Sequence, residues 1–370
     1  MKNKINLAFV KYAGMGAGGV EKYLQTLSAH LPKDDFNIDF YYTDDTPLIG
    51  SNFIHPKTSE DRINYCKDNN VNLIKVECSA RDDRRGNFSR WVDTNFFEIF
   101  NHNNYDLVQT GRGGYTEYPF NEMKNSLFVD SIHSQGNEGV ELRDNIAKTI
   151  LISKSQADQW VKNGGDAKKI EIIPTLVEVP PKKPSSLRSM LSLDDSVFIF
   201  GMHQATRESI FSPVPLEAYS KIENETNCFV ILGGAEKYKQ QAKELNLKRC
   251  YFLDFVANVE KINDFIEGID VFAHGRYDGE VCSAAIIEAL YHAKPCLSHP
   301  GINNGHFEQI QGCGIINNSI KEYANNMREL QLNADFYNFL SIESLKKWEN
   351  DYNLFECVSK YESIYKSILN

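Results

Sequence analysis

A chain of 370 residues is long for a single hydrophobic core, and two domains are expected. With 42% apolar and 24% charged residues its composition is that of a soluble globular protein, and a formal net charge of −10 argues against general nucleic-acid binding, which needs a basic footprint. Eight cysteines show no Cys-x-x-Cys pair and no zinc-type spacing, so they read as reduced thiols, with Cys228 and Cys296 acting as small hydrophobes inside apolar runs.

The first residues, Met1 to Val10, are basic and then apolar, but the apolar run is short for a signal peptide and ends in Lys11-Tyr12. No later run has the length of a membrane span, so a cytoplasmic location is expected. From there, short apolar segments alternate with helical patterns, as in an α/β protein with parallel sheets. The first series of strands is expected at Ile5–Val10, Asn37–Tyr42, Val71–Val76, Tyr105–Gln109, Ser126–Ile132, Thr149–Ile152 and Ile170–Ile173. Its clearest helices are expected at Val20–Leu31, Arg90–Phe100 and Ser155–Asn163. Pro174, Pro180, Pro181 and Pro184 then crowd a stretch that can continue neither a helix nor a central strand, which marks an interdomain linker. A second series follows, with strands at Val197–Met202, Cys228–Leu232, Cys250–Leu253, Val271–His274, Pro295–Ser298 and Gly314–Ile316. Helices are expected at Pro215–Ile222, Lys237–Leu245, Val259–Glu267, Cys282–His292 and Ile320–Leu330, and a long helical tail at Ser341–Leu369. Two Rossmann-like units joined by a linker would face each other across a cleft, with ligands beyond the carboxyl ends of the strands.

Gly14-Met-Gly16-Ala-Gly18-Gly19 follows the first strand, and Gly14, Gly16 and Gly19 spell G-x-G-x-x-G with Asp39 twenty residues on. Two features count against a nicotinamide dinucleotide. Lys11-Tyr12-Ala13 separate the strand from the first glycine, and Asp39 lies inside the second strand instead of closing it. A loop that brings backbone close to an anion fits the same glycines.

Glu280 and Glu288 lie eight residues apart at the start of the expected helix Cys282–His292. The rise per residue separates their Cα atoms by roughly 12 Å, while the backward tilt of side chains carries Glu288 toward the end that Glu280 borders. Between them the N–H groups of Val281, Cys282 and Ser283 point where an anion would sit. Ala284, Ala285, Ile286, Ile287, Ala289 and Leu290 make the helix apolar nearly all round, so Glu288 is expected to be partly buried and in need of a partner. The arrangement suits an elongated ligand with a central diphosphate and hydroxyls at both ends, as in a nucleotide-diphosphate sugar.

With Gly18-Gly19-Val-Glu21 near the start and Glu280…Glu288 near the end, the chain resembles family 4 of the retaining glycosyltransferases over nearly its whole length. Gly279-Glu280-Val-Cys-Ser-Ala-Ala-Ile-Ile-Glu288-Ala-Leu is similar to that family's E-x7-E signature. Ala293-Lys-Pro-Cys-Leu, Leu151-Ile-Ser-Lys-Ser155 and Ile172-Ile-Pro174 match further landmarks. The resemblance implies the GT-B architecture: an N-terminal acceptor-side domain at 1–178, a C-terminal donor-side domain at 179–345, and a final helix, 346–370, packing back on the first domain. It implies a nucleotide-sugar donor, a glycan or glycoconjugate acceptor, and no cofactor or metal. Gly18 and Gly19 would lie against the donor diphosphate and sugar, and His133 would line the sugar pocket. Arg207 would neutralise the leaving diphosphate, the N–H groups of Cys282 and Ser283 would hold the phosphates, Glu280 would contact sugar hydroxyls and Glu288 the ribose. One departure is Ser212, which stands five residues after Arg207 where the family places a lysine.

Two rivals follow from the same residues. Ser212 motivates a GT-B protein that binds a sugar nucleotide or glycan without turning it over, and the first glycines motivate an NAD-dependent dehydrogenase. Arg81, Arg84, Arg85 and Arg90 read as a solvated segment or, alternatively, as a contact for an anionic acceptor or a lipid surface, hence peripheral membrane contact. They and Gly111–Tyr118 are the expected acceptor loops.

Overall fold

The computed structural model describes residues 4–44, 47–49, 57–82, 90–111, 118–134, 143–256 and 258–370. Its contacts divide the chain into two units, Met1–Leu176 with Leu354–Asn370, and Val177–Asn353.

The first unit is built on a seven-stranded sheet. Across it the order is Ile170–Ile172, Ile146–Leu151, Phe128–Ile132, Leu107–Thr110, Ile5–Lys11, Phe36–Thr43 and Asn72–Val76, with every pairing parallel. Chain order reverses direction beside Ile5–Lys11, so the loop leaving that strand occupies the switch point where ligands of such sheets bind. The second unit repeats the plan with six parallel strands in the order Cys250–Leu253, Asn227–Gly233, Phe198–Gln204, Val271–Ala273, Cys296–Ser298 and Gly314–Ile316. Here the switch point lies between Phe198–Gln204 and Val271–Ala273. Leu7 to Val10 and Val271 to Ala273 are wholly buried, as expected of parallel strands covered on both faces, and this explains their unbroken apolar runs.

All thirteen expected strands are present, each within three residues of its expected ends. Other expectations differ. Arg90–Phe100 is not one helix: Arg90–Val92 is a strand antiparallel to Ala80–Asp82, and only Phe96–Ile99 is helical. Buried Trp91 decides this by packing its ring on Tyr12, Phe96 and Phe120. The tail is two helices, Ala334–Lys347 and Leu354–Leu369, with a wide turn at Trp348–Tyr352 between them. Ser344 bonds the Cys313 carbonyl and Tyr352 joins the second unit's core, so residues 346–353 stay with the second unit and only Leu354 onward joins the first. Among the described residues no helix is long and apolar enough to cross a membrane.

The closing helix is fastened within the first unit by aromatic side chains whose hydroxyls find partners. Tyr361 shares a 2.7 Å hydrogen bond with Tyr23, and the buried Tyr365 hydroxyl donates to Gln109 Oε1 at 2.7 Å. The Gln109 amide nitrogen already donates to the Thr110 carbonyl, so the side chain cannot turn over to find another acceptor role. Tyr365→Phe therefore strands a buried carbonyl oxygen. A loss of about 1–3 kcal/mol is expected, read as a lower urea midpoint at unchanged slope.

Candidate functional site

The loop after Ile5–Lys11 is closed on itself. The Gly14 N–H donates to the Lys11 carbonyl and the Gly16 N–H to the Ala13 carbonyl. Gln25, from the helix Gly19–His30, donates to the carbonyls of both Gly14 and Gly16, and Arg62 holds the other end of its amide. A Cβ at Gly14 would lie 2.7 Å from the Phe40 ring and 2.9 Å from the Lys11 carbonyl, so Gly14 is demanded by packing. Gly19 is different: it is the exposed first residue of the helix, and a Cβ there meets nothing within 4 Å. The first two glycines of the dinucleotide pattern thus have their N–H groups consumed, and Asp39 is consumed as well, by Asn72 and Tyr105. The first loop is not arranged for a dinucleotide. What remains is the helix start at Gly18-Gly19, flanked by the buried ion pair Lys11–Glu21 at 3.2 Å.

His133 follows the strand Phe128–Ile132 and is half-buried, its ring edge-on to Tyr23 at 4.3 Å. Its Nε2 lies 3.1 Å from Ser131 Oγ, and that hydroxyl gives its own hydrogen to the Thr110 carbonyl. Nε2 must then be the donor, which leaves Nδ1 with a lone pair to accept from a hydroxyl. Burial, aided by the charge of Lys11, pushes the His133 pKa down to about 3, so the ring is neutral at physiological pH.

In the second unit, Glu280 sits in a short parallel pairing of Gly279–Glu280 with Asn303–Asn304. Gly279 has φ +65°, and a Cβ there would fall 1.8 Å from the Asn303 carbonyl oxygen. Arg276 meets this carboxylate: Nη1 donates to Glu280 Oε1 at 2.6 Å, while Nε and Nη2 grip both oxygens of Asp278 at 2.9 and 2.7 Å. Burial raises the Glu280 pKa above the usual carboxylate range, and the charge of Arg276 opposes that rise.

The helix begins later than its sequence suggests, at Ala284–Tyr291 with Ser283 as its cap. The Ser283 N–H is not free. Gln309 closes on it, accepting from the Ser283 N–H at 2.7 Å and donating to the Ser283 carbonyl at 3.0 Å. Cys282 packs against the core. The donors left without an intrahelical carbonyl are the N–H groups of Ala284, Ala285 and Ile286, which come after the expected Cys282 and Ser283. Glu288 is largely buried, as expected. Its Oε2 lies 2.9 Å from His203 Nε2, but off the line of a hydrogen bond, so neither atom has a hydrogen-bond partner among the described residues.

The expected site residues of this unit do not all converge. Ser283 Oγ lies 3.4 Å from Glu280 Oε1, whereas the exposed Arg207 side chain makes no hydrogen bond or ion pair among the described residues. Ser212, at the position of the family's lysine, is 2% exposed and bonded to His299 Nε2 at 2.8 Å. Because His299 Nδ1 donates to the Pro300 carbonyl, the Ser212 hydroxyl must donate to Nε2. The arginine cluster also divides: Arg81 is buried over the Tyr12 ring, Arg90 is exposed, and Arg84 and Arg85 lie outside the described residues, as do residues 112–117 of the second expected acceptor loop.

Sequence reasoning missed Arg276, Asp278 and Gln309, and it noted His203 at a strand end without giving it a role. The signal for the first two was a cation just past a central strand followed, after Tyr277, by Asp-Gly-Glu. Nothing in the sequence singles out Gln309. The loop geometry gives one expectation: Gly14→Ala lowers the melting temperature, whereas Gly19→Ala leaves it unchanged or raises it, because alanine is favoured over glycine in a helix by ~0.5–1 kcal/mol. Thermal unfolding of the two variants beside the parent checks both.

Residues 213–333, which contain Glu280, Ser283 and Glu288, match the family described as glycosyl transferases group 1. No curated protein matches the chain by sequence. Solved structures resemble it along its full length. HepE from Anabaena, in complex with UDP-glucose, is 13% identical, covers 98% of this chain and 100% of its own, and superposes with a TM-score of 0.69. A glycosyltransferase from Rickettsia africae is 16% identical over 100% and 99%, with a TM-score of 0.71. Sucrose-phosphate synthase from Thermosynechococcus elongatus is 14% identical over 99% of each chain, with a TM-score of 0.73. The fold is the two-domain α/β GT-B fold of glycosyltransferase structures, and its second unit carries the glycosyl transferases group 1 match.

Proposed function

We propose that the protein is a retaining glycosyltransferase of family 4, moving a sugar from a nucleotide-diphosphate sugar to an acceptor hydroxyl in glycan or glycoconjugate synthesis. One observation carries the reading. The segment that matches glycosyl transferases group 1 holds both acids of Glu280…Glu288, with a helix N-terminus between them. HepE, a structural neighbour, is solved with UDP and with UDP-glucose, which supports a nucleotide sugar as donor.

In this mechanism the bond from the anomeric carbon to the diphosphate oxygen breaks and leaves a cationic sugar and an anionic nucleotide. The N–H groups of Ala284, Ala285 and Ile286 stabilise the diphosphate, and the family resemblance assigns Arg207 as the cation that neutralises it. Glu280 faces the sugar hydroxyls and Glu288 the ribose. In the first unit, Gly18 and Gly19 admit the donor close to backbone, and the Nδ1 lone pair of His133 accepts from a sugar hydroxyl. The acceptor oxygen forms the new bond and loses its proton to the departing phosphate, so no side-chain base is needed. The enzyme is proposed to be cytoplasmic, and its acceptor-side loops to meet an anionic acceptor or membrane surface.

A panel of nucleotide sugars tests the reading by release of nucleoside diphosphate, with the anomeric configuration of the product read by NMR. Release from at least one donor with retention is expected, and Glu280→Gln should lower kcat about 100-fold or more. Turnover should fade as pH falls through the raised Glu280 pKa, at a higher pH than an ordinary glutamate near ~4.3 would give, and this acid limb should vanish in the Gln variant. An inverted product sinks the retaining mechanism. The buried Ser212–His299 pair, standing where the family places a lysine, favours a second reading: a protein that binds the sugar nucleotide without turnover. It predicts thermal stabilisation by UDP with no release from any donor.

A further inference from the structure

We infer that Arg276 and Asp278 are positioning residues for Glu280: a charge-neutral fork that fixes the direction of this carboxylate and leaves its negative charge uncancelled for the sugar. The inference deepens the transferase reading and rests on it for the role of Glu280.

Three observations carry it. First, every side-chain hydrogen bond to the Glu280 carboxylate goes to one oxygen. Arg276 Nη1 lies 2.6 Å and Ser283 Oγ 3.4 Å from Oε1, while Oε2 accepts no hydrogen bond among the described residues. One oxygen is held and the other is presented. Second, the guanidinium is itself fixed in plane, because Nε and Nη2 bind the two oxygens of Asp278 side by side. Lysine cannot make that planar, bidentate contact.

Third, the backbone that spaces these side chains is locked. The Gly279 N–H closes a turn onto the Arg276 carbonyl at 3.2 Å, and the Asn303 N–H bonds the Asp278 carbonyl at 3.0 Å. Cβ atoms at Gly279, Gly301 and Gly305 would each fall 2.4 Å or less from backbone atoms of the facing loop. The turn therefore holds Arg276, Asp278 and Glu280 at fixed spacing.

The charges explain why Arg276 and Asp278 act together on Glu280. Arg276 alone beside Glu280 would give a neutral pair, with nothing left to attract a cationic sugar. Asp278 supplies the second negative charge, so the triad carries a net charge of −1 while Glu280 keeps a strong donor on Oε1. A carboxylate aimed by its neighbours raises kcat rather than general affinity, because its contact strengthens as charge develops on the sugar.

The test compares Arg276→Lys and Asp278→Asn with the parent for kcat, KM, affinity for UDP and melting temperature, using the donor that turns over. Arg276→Lys should lower kcat about 100-fold and Asp278→Asn about 10-fold, with KM and UDP affinity within about threefold of the parent. If Arg276→Lys is too unstable to assay, Arg276→Ala with added guanidinium decides: recovered turnover supports the fork, and no recovery overturns it. If both variants keep kcat within about twofold while Glu280→Gln is inactive, the fork is wrong and the transferase reading survives. A parent that releases nucleotide from no donor removes the transferase reading, and the fork with it.

Discussion

Burial of a parallel sheet on both faces is the constraint from which the rest of this structure follows. Such strands have no solvated face, so their side chains are apolar on both sides and polar chemistry is displaced to the ends. The carboxyl ends hold it here. Lys11 closes the first strand and His133 follows another, while in the second unit His203, His274 and His299 lie at the ends of three adjacent strands. Burial lowers the pKa of His133, His274 and His299, so these rings act as neutral hydrogen-bonding groups.

Once polar groups are confined to an edge, each must find a partner there or keep an open valence for something else. Most are satisfied internally: Gln25 on the glycine loop, Gln309 on Ser283, Ser212 on His299, Tyr238 on Gln204 and the Gly275 carbonyl. Among the exceptions are groups of the candidate site. Glu280 Oε2 accepts no hydrogen bond among the described residues, and Glu288 Oε2 and His203 Nε2 face each other without a good one. Satisfied neighbours around a few open groups are what a preorganised binding site requires, since the open groups are then held in place before the ligand arrives.

Much of the fold was legible in the sequence because its dominant signal, an apolar run bounded by turn residues, is the signature of a doubly covered strand. The failures are equally physical. Arg90-Trp91-Val92 carries a strand-compatible triplet, but its pairing with Ala80–Asp82 is a tertiary fact and its local pattern continued smoothly into Phe96–Ile99. The tail pattern ran on through Trp348–Tyr352, where burial of Tyr352 in one core and of Tyr361 and Tyr365 in the other forces a break.

For the candidate site the division is sharper. The sequence by itself determined which chemistry is present: glycines that admit backbone, two acids eight residues apart on an apolar helix, and two alternating series of strands and helices. It did so because periodicity and residue type are local properties. Only the tertiary structure decided which of those groups are open and which are spent. It spent Gly14, Gly16 and Asp39 on the fold, gave the Ser283 N–H to Gln309, and left Gly19 sterically free. It also set Arg276 and Asp278 behind Glu280. Whether a donor or acceptor is satisfied depends on partners brought from distant positions, as Gln309 is to Ser283, and no local pattern carries that information.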